Sequence, residues 1–254
     1  MGLQALIFNV DGTLAETAEI HRAAFNQAFD EFNTGWCWDR ATYSYLMDMP
    51  GDAEMLGAYN AISAAKNAQK PLTREVLQRI ALRKMQIYLA MLASGAAYFR
   101  PGVCRLMEEA RRDGIAIGIV STRSRIEFEM LVTNTLGFDA LNMFNAIRTS
   151  DNGGRSALAG YQNIIADLGI NPNKSVAIDD TETGIRDAVI CGLKTIATPG
   201  IYTSSGRFDA AEIVVSDLGR PSQPFDVILG NAHGTGYISS AFLRQMVGAN
   251  LAAA

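Results

Sequence analysis

Three short polar stretches follow apolar runs, and their residue types are those that could do chemistry. Asn9, Asp11 and Thr13 come after the run from Leu3 to Phe8, within Phe8-Asn9-Val10-Asp11-Gly12-Thr13-Leu14. Ser121 and Thr122 follow Ile115 to Val120, and Asp179-Asp180-Thr181 follows Ser175 to Ile178. Near-continuous apolar runs of this length read as strands covered on both faces. As parallel neighbours, they open at their carboxyl ends on one crevice, which is where open α/β sheets place ligands. Taken singly, each residue also has a structural reading. Ser121 would serve as a helix cap, and Asp11 and Asp180 would hold loops by accepting backbone N–H bonds.

The elements that must position these residues alternate. Leu193 to Ala197 and Glu212 to Val215 are further strand-like runs. Between the runs lie helical stretches. Val103, Leu106, Met107 and Ala110 repeat at helical spacing, after Pro101 and before Asp113-Gly114. Ala157 to Leu168 carries Tyr161, Ile164 and Ile165 on one face and stops at Gly169. Strand and helix in alternation predict an α/β fold built on a Rossmann-like parallel sheet.

Residues 15–92 break that rhythm with helices expected at Glu19–Asp30, Asp39–Met47, Asp52–Lys66 and Thr73–Met91. An all-helical block after the first strand predicts an inserted α-helical cap domain at 15–99. The core domain is then 1–14 plus 100–254, with linkers at about 14–18 and 92–100. Trp36, Trp38, Tyr43 and Tyr45 read as the cap's own core. The segment beyond 217 reads as irregular structure with a short final helix.

With 48% hydrophobic and 19% charged residues, the chain has the composition of a globular protein that buries a substantial core. A net charge of -4 without a basic run argues against nucleic acid and anionic membranes as partners. Three scattered cysteines without a C-x-x-C pair are the usage of a reducing cytoplasm, the expected location.

The ordered set of motifs resembles the haloacid dehalogenase (HAD) superfamily. Residues 8–14 match its D-x-D-G-T signature except that the first Asp is Asn9, Ser121 matches the second motif, and Asp179-Asp180 matches the fourth. His21-Arg22, Phe25-Asn26, Phe29 and the Trp36/Trp38 pair resemble the CbbY-like branch, phosphatases of sugar phosphates related to β-phosphoglucomutases. The resemblance implies a small phosphorylated metabolite as partner and Mg²⁺ as cofactor. The first Asp would attack phosphorus and form an aspartyl phosphate. Asp11 would be the acid and base. The metal set would be the residue at position 9, Asp11 through its carbonyl, and Asp180 with Asp179 behind it. Ser121, Thr122, Arg155 and the hinge residue His21 would contact substrate.

Three departures from that pattern stand out. Asn9 is a poor nucleophile and removes a negative charge from the metal set; losing a nucleophile costs on the order of 10⁴–10⁶ in rate in dismantled triads. The third motif, K-P-x-P-D-x-Y in the family, aligns with Arg155 to Tyr161 and keeps only the charge and the aromatic. In the cap, G-G-K-x-R, whose cations reach a distal phosphate, aligns with Pro50-Gly51-Asp52-Ala53-Glu54. The expectation is an impaired hydrolase; the alternative is a catalytically silent protein that binds a phosphorylated metabolite.

Overall fold

The computed structural model describes residues 2–248 apart from 48, 50, 69 and 155. The chain divides into two compact units, one of residues 1–16 and 98–254, the other of residues 17–97.

The first unit is a seven-stranded sheet. Its strands are β1 (Ala5–Asn9), β2 (Ala116–Val120), β3 (Ala146–Arg148), β4 (Ser175–Asp179), β5 (Lys194–Ala197), β6 (Ile213–Val215) and β7 (Val227–Gly230). They lie in the order β3-β2-β1-β4-β5-β6-β7. All pairs are parallel except β6 with β7, so the parallel core is extended by one antiparallel edge strand. Ala5, Leu6, Ile7 and Phe8 of β1 are fully buried. Side chains alternate across a strand, so their burial requires cover on both faces, as the apolar run predicted.

Apart from short 3-10 turns, the helices of this unit are Val103–Arg112, Arg125–Leu136, Ala157–Leu168, Glu182–Ile190 and Ser240–Gly248. Tyr161 and Ile164 of Ala157–Leu168 and Ala188 of Glu182–Ile190 pack in one cluster with Ile7, Val120, Ala177 and Leu193. Each such large apolar side chain contributes about 1.5–3 kcal/mol on burial. Gly160 lies against the Val120 side chain with no room for a Cβ, so a glycine lets this helix approach the sheet closely.

Register sets the site. Asn9 pairs with Val120 and Phe8 with Ile178, which brings the ends of β1, β2 and β4 to one level. Residues 9–13, 121–123 and 179–181 therefore emerge side by side.

The second unit is all helical: α1 (Ala18–Glu31), α2 (Arg40–Leu46), α3 (Asp52–Asn67) and α4 (Arg74–Ala93). Asp39 and Thr73 cap α2 and α4 by accepting backbone N–H bonds from Thr42 and Val76. Trp36, Trp38 and Tyr43 are buried with Phe25 and Phe29, as expected for a core, whereas Tyr45 is exposed. No helix among the described residues is long and apolar enough to cross a membrane.

Candidate active site

Asn9 ends β1, and its side-chain nitrogen donates to the Asp11 carbonyl at 3.0 Å and to Asp180 Oδ1 at 2.9 Å. Thr13 adds a longer hydrogen bond to Asp180 Oδ1, and Thr203 one to Oδ2. Gly12, at φ +70°, lies so close to the Asp180 carboxyl that a Cβ would overlap it. The motif's glycine is thus required twice, for its backbone and for the space it leaves.

Asp179 and Asp180 are both buried. Burial raises Asp180 well above the usual carboxylate range, and the neighbouring Asp179 and Asp11 charges add to the rise. Arg100 and the Asn9 bond oppose it. Asp179 is fully engaged elsewhere: Oδ1 accepts from the Thr181 N–H and hydroxyl, and Oδ2 from the Tyr161 hydroxyl at 2.8 Å. Burial raises Asp179 as well, against the pull of those bonds. Tyr161 is pushed well above its ordinary value by burial and then by the Asp179 charge.

Ser121 is buried at the end of β2, where its backbone N–H donates to the Arg148 carbonyl. Its Oγ accepts from the Arg123 N–H at 3.0 Å. The helix cap next to it is Ser124, which forms a capping box with Glu127, so Ser121 is not the cap. Thr122 is exposed. Asp11 meets Arg123, with Nε 3.0 Å from Oδ2.

Two residues that the sequence reading did not single out are central here. Arg123 pairs with the acid/base candidate. Arg100, 7% exposed, donates to the carbonyls of Gly12, Thr198, Pro199 and Ser216 and pairs with Glu16 at 3.2 Å. A cation in one linker with an acid in the other was the available signal.

Asn9, Asp11, Ser121, Asp179 and Asp180 are brought together in the core unit. His21 lies in the helical unit, fully buried in α1, with Nδ1 2.8 Å from Lys84 Nζ and its ring stacked on Tyr88. Lys84, also fully buried, donates to Asp52 Oδ2 at 2.7 Å. Asp52 therefore neutralises a buried cation of its own unit; the acid at this position is paired, not an unopposed charge. Arg155 and Pro50 lie outside the described residues.

The Asp11 carbonyl and Asp180 Oδ1 converge on one point, the Asn9 amide nitrogen. Oxygen donors aimed at one point suit a hard divalent cation. Amide nitrogen and oxygen are assigned from the hydrogen-bond network, and a turn of the Asn9 amide would present its oxygen instead. The donor set thus fits Mg²⁺ with one negative charge fewer than an Asp would give.

Residues 6–198 match the haloacid dehalogenase-like hydrolase family. The chain belongs to that family, on its CbbY-like branch. It is 32% identical to protein CbbY of Cupriavidus necator over 91% of this chain and 92% of that protein. Identity to protein CbbY of Rhodobacter capsulatus is also 32%, over 86% of this chain and 95% of the relative. Among solved structures, CbbY from Rhodobacter sphaeroides in complex with phosphate is 32% identical with a TM-score of 0.74, covering 85% of this chain and 94% of that one. An Asp-to-Asn mutant of the same protein, in complex with xylulose-(1,5)bisphosphate, is 30% identical with a TM-score of 0.77, over 87% and 98%.

Proposed function

We propose that this CbbY-like hydrolase scaffold binds a sugar phosphate at the ends of β1, β2 and β4 but does not form an aspartyl phosphate. The observation that carries the reading is the Asn9 amide at the nucleophile position, bonded to the Asp11 carbonyl and Asp180. An amide nitrogen donating two hydrogen bonds is no nucleophile. That a CbbY relative holds xylulose-(1,5)bisphosphate supports a phosphorylated sugar as the ligand of this scaffold.

Asp180, the Asp11 carbonyl and the Asn9 amide oxygen would hold Mg²⁺, which when bound draws charge from phosphoryl oxygens. Asp179 spends both carboxylate oxygens on Thr181 and Tyr161. Ser121 would donate its hydroxyl to a phosphate oxygen. The turnover that remains is slow direct hydrolysis. Asp11 takes a proton from water, the water oxygen bonds to phosphorus, the ester P–O bond breaks, and solvent protonates the leaving alkoxide.

Phosphate release from a panel of sugar mono- and bisphosphates with Mg²⁺, for the parent and Asn9→Asp, tests this. The expected result is activity in Asn9→Asp and at most traces in the parent. Parent turnover above about 1 s⁻¹, within the ordinary enzyme range, would overturn it.

A further inference from the structure

We propose that Arg100 is the positioning residue of the cation site, fixing where Asp180 and the Asp11 carbonyl stand while Glu16 cancels its charge. The inference rests on the Mg²⁺ reading above and adds two residues to it.

Sheet pairing does not reach the donors. The β1–β4 ladder ends at Phe8 with Ile178, and the β4–β5 ladder ends at Asp179 with Ala197. Asp11 and Asp180 stand past those ends, on separate loops. Mg²⁺ tolerates little error, since it demands near-octahedral oxygens at about 2.0–2.1 Å. Something other than the sheet must hold the two loops in place.

Arg100 has the contacts to do so. Its Nη1 donates to the carbonyls of Gly12 and Thr198, and its Nη2 to those of Pro199 and Ser216. Nε faces Glu16 Oε1 at 3.2 Å. A guanidinium carries five N–H groups, and here four carbonyls and one carboxylate meet them.

Two of the clasped segments are the walls of Asp180. On one side, Gly12 lies against the carboxyl with no room for a Cβ, and Thr13 donates to Oδ1 at 3.4 Å. The peptide just before the clasped Gly12 carbonyl carries the Asp11 carbonyl, so it is held too. On the other side, the Thr198 N–H is tied to the Asp179 carbonyl at 2.9 Å. The turn that follows brings Thr203, held by the Gly200 N–H at 2.8 Å, to Asp180 Oδ2 at 3.3 Å.

Charge decides whether such a clasp helps or harms. A bare guanidinium beside a cation site would repel the metal. Glu16 pairs with it and the carbonyls are neutral, so the pair adds no net charge. Position is gained without repulsion. Lysine is no substitute, because three donors on a flexible stem leave some of these acceptors stranded.

Mg²⁺ is titrated calorimetrically into the parent and Asn9→Asp, each with and without Arg100→Lys, Glu16→Gln or Arg105→Lys. Arg105 is the control for stability: it also gathers three carbonyls, at Leu218, Gly219 and Ile238, away from Asp180. Arg100→Lys is expected to weaken Mg²⁺ binding about tenfold or more, the usual cost of losing a group that orients metal ligands. Glu16→Gln leaves Arg100 its carbonyls but uncovers its charge, so binding is expected to weaken there as well. Arg105→Lys is expected to lower the melting temperature and leave Mg²⁺ affinity unchanged. Glu16→Gln carries the test should Arg100→Lys fail to fold. Affinity unchanged by Arg100→Lys or by Glu16→Gln, or an equal loss in Arg105→Lys, would overturn the proposal alone. No Mg²⁺ binding to either the parent or Asn9→Asp would overturn the cation-site reading and this inference with it.

Discussion

The side-chain nitrogen of Asn9 lies 2.9 Å from Asp180 Oδ1, and this hydrogen bond joins two residues 171 positions apart in the chain. The same nitrogen serves the Asp11 carbonyl. One neutral group therefore does what a cation would otherwise do for these oxygens: it gives them a positive partner. The site holds its shape through protein groups alone, and the first prediction follows.

Asn9→Asp removes that donor and sets a third carboxylate beside Asp179 and Asp180. Like charges at this distance disfavour one another. The variant is expected to melt below the parent in chelator and to gain more from Mg²⁺, since a ligand bound only by the folded state stabilises it. Thermal unfolding of both proteins with and without Mg²⁺ is the check. Equal Mg²⁺ shifts in the two would count against the amide as a stand-in for charge.

Arg100 collects carbonyls from three separate loops, at Gly12, Thr198–Pro199 and Ser216. Arg100→Ala strands these acceptors and Glu16. Losing one side of such a buried charged network costs about 3–5 kcal/mol. Urea unfolding measures it directly, and a loss below about 1 kcal/mol would show that the loops hold without the clasp.

Tyr161 supplies a prediction at high pH. Its hydroxyl is buried against Asp179, which raises it well above its ordinary value. In the unfolded chain it ionises near pH 10. The folded state thus keeps its proton where the unfolded state sheds it, so this stabilisation is complete below about pH 10 and drains away as pH rises further. Tyr161→Phe is expected to lose stability at neutral pH, with the gap to the parent narrowing above about pH 10. A constant gap up to alkaline unfolding would refute the linkage.

Lys84 and Asp52 offer an asymmetric pair of substitutions. Asp52→Ala leaves a fully buried ammonium without its carboxylate, at a cost of about 3 kcal/mol or more. Lys84→Met replaces the charge with an apolar stem of similar length among Phe25 and Tyr88 and should cost far less. Denaturation curves for both variants decide it, and the reverse order would mean that the ammonium itself is the stabilising element.

Much of this architecture was legible in the sequence. The apolar runs at residues 3–8, 115–120 and 175–178 became three neighbouring interior strands because burial on both faces forces such composition. The polar residues after them had to share one edge. The short strands at Ala146–Arg148 and Val227–Gly230 were not legible. The first is only partly buried and three residues long, and the second is exposed along its whole length, so neither needs a pattern that stands out. The helix Arg125–Leu136 was missed for a related reason: Ile126 and Leu136 are exposed while Phe128, Leu131 and Val132 are buried, which blurs the stripe. At the site, Arg123 and Arg100 escaped because an arginine in a loop is ordinarily solvated. Their partners lie 112 and 88 residues away in sequence, where spacing says nothing.

The position of β1 also bears on how the protein comes to be made. It is the first strand to be synthesised, yet both of its neighbours come late, from Ala116–Val120 and Ser175–Asp179. A nascent chain must carry the apolar stretch Ala5–Phe8 unpaired until Ala116–Val120 has been made. Pairings at such separation close slowly, because loop entropy is spent before any contact repays it. The helical insert, whose helices follow one another directly, has no such wait. The polypeptide is therefore expected to form its helical insert first, with the strand that carries Asn9 as the segment most in need of a chaperone.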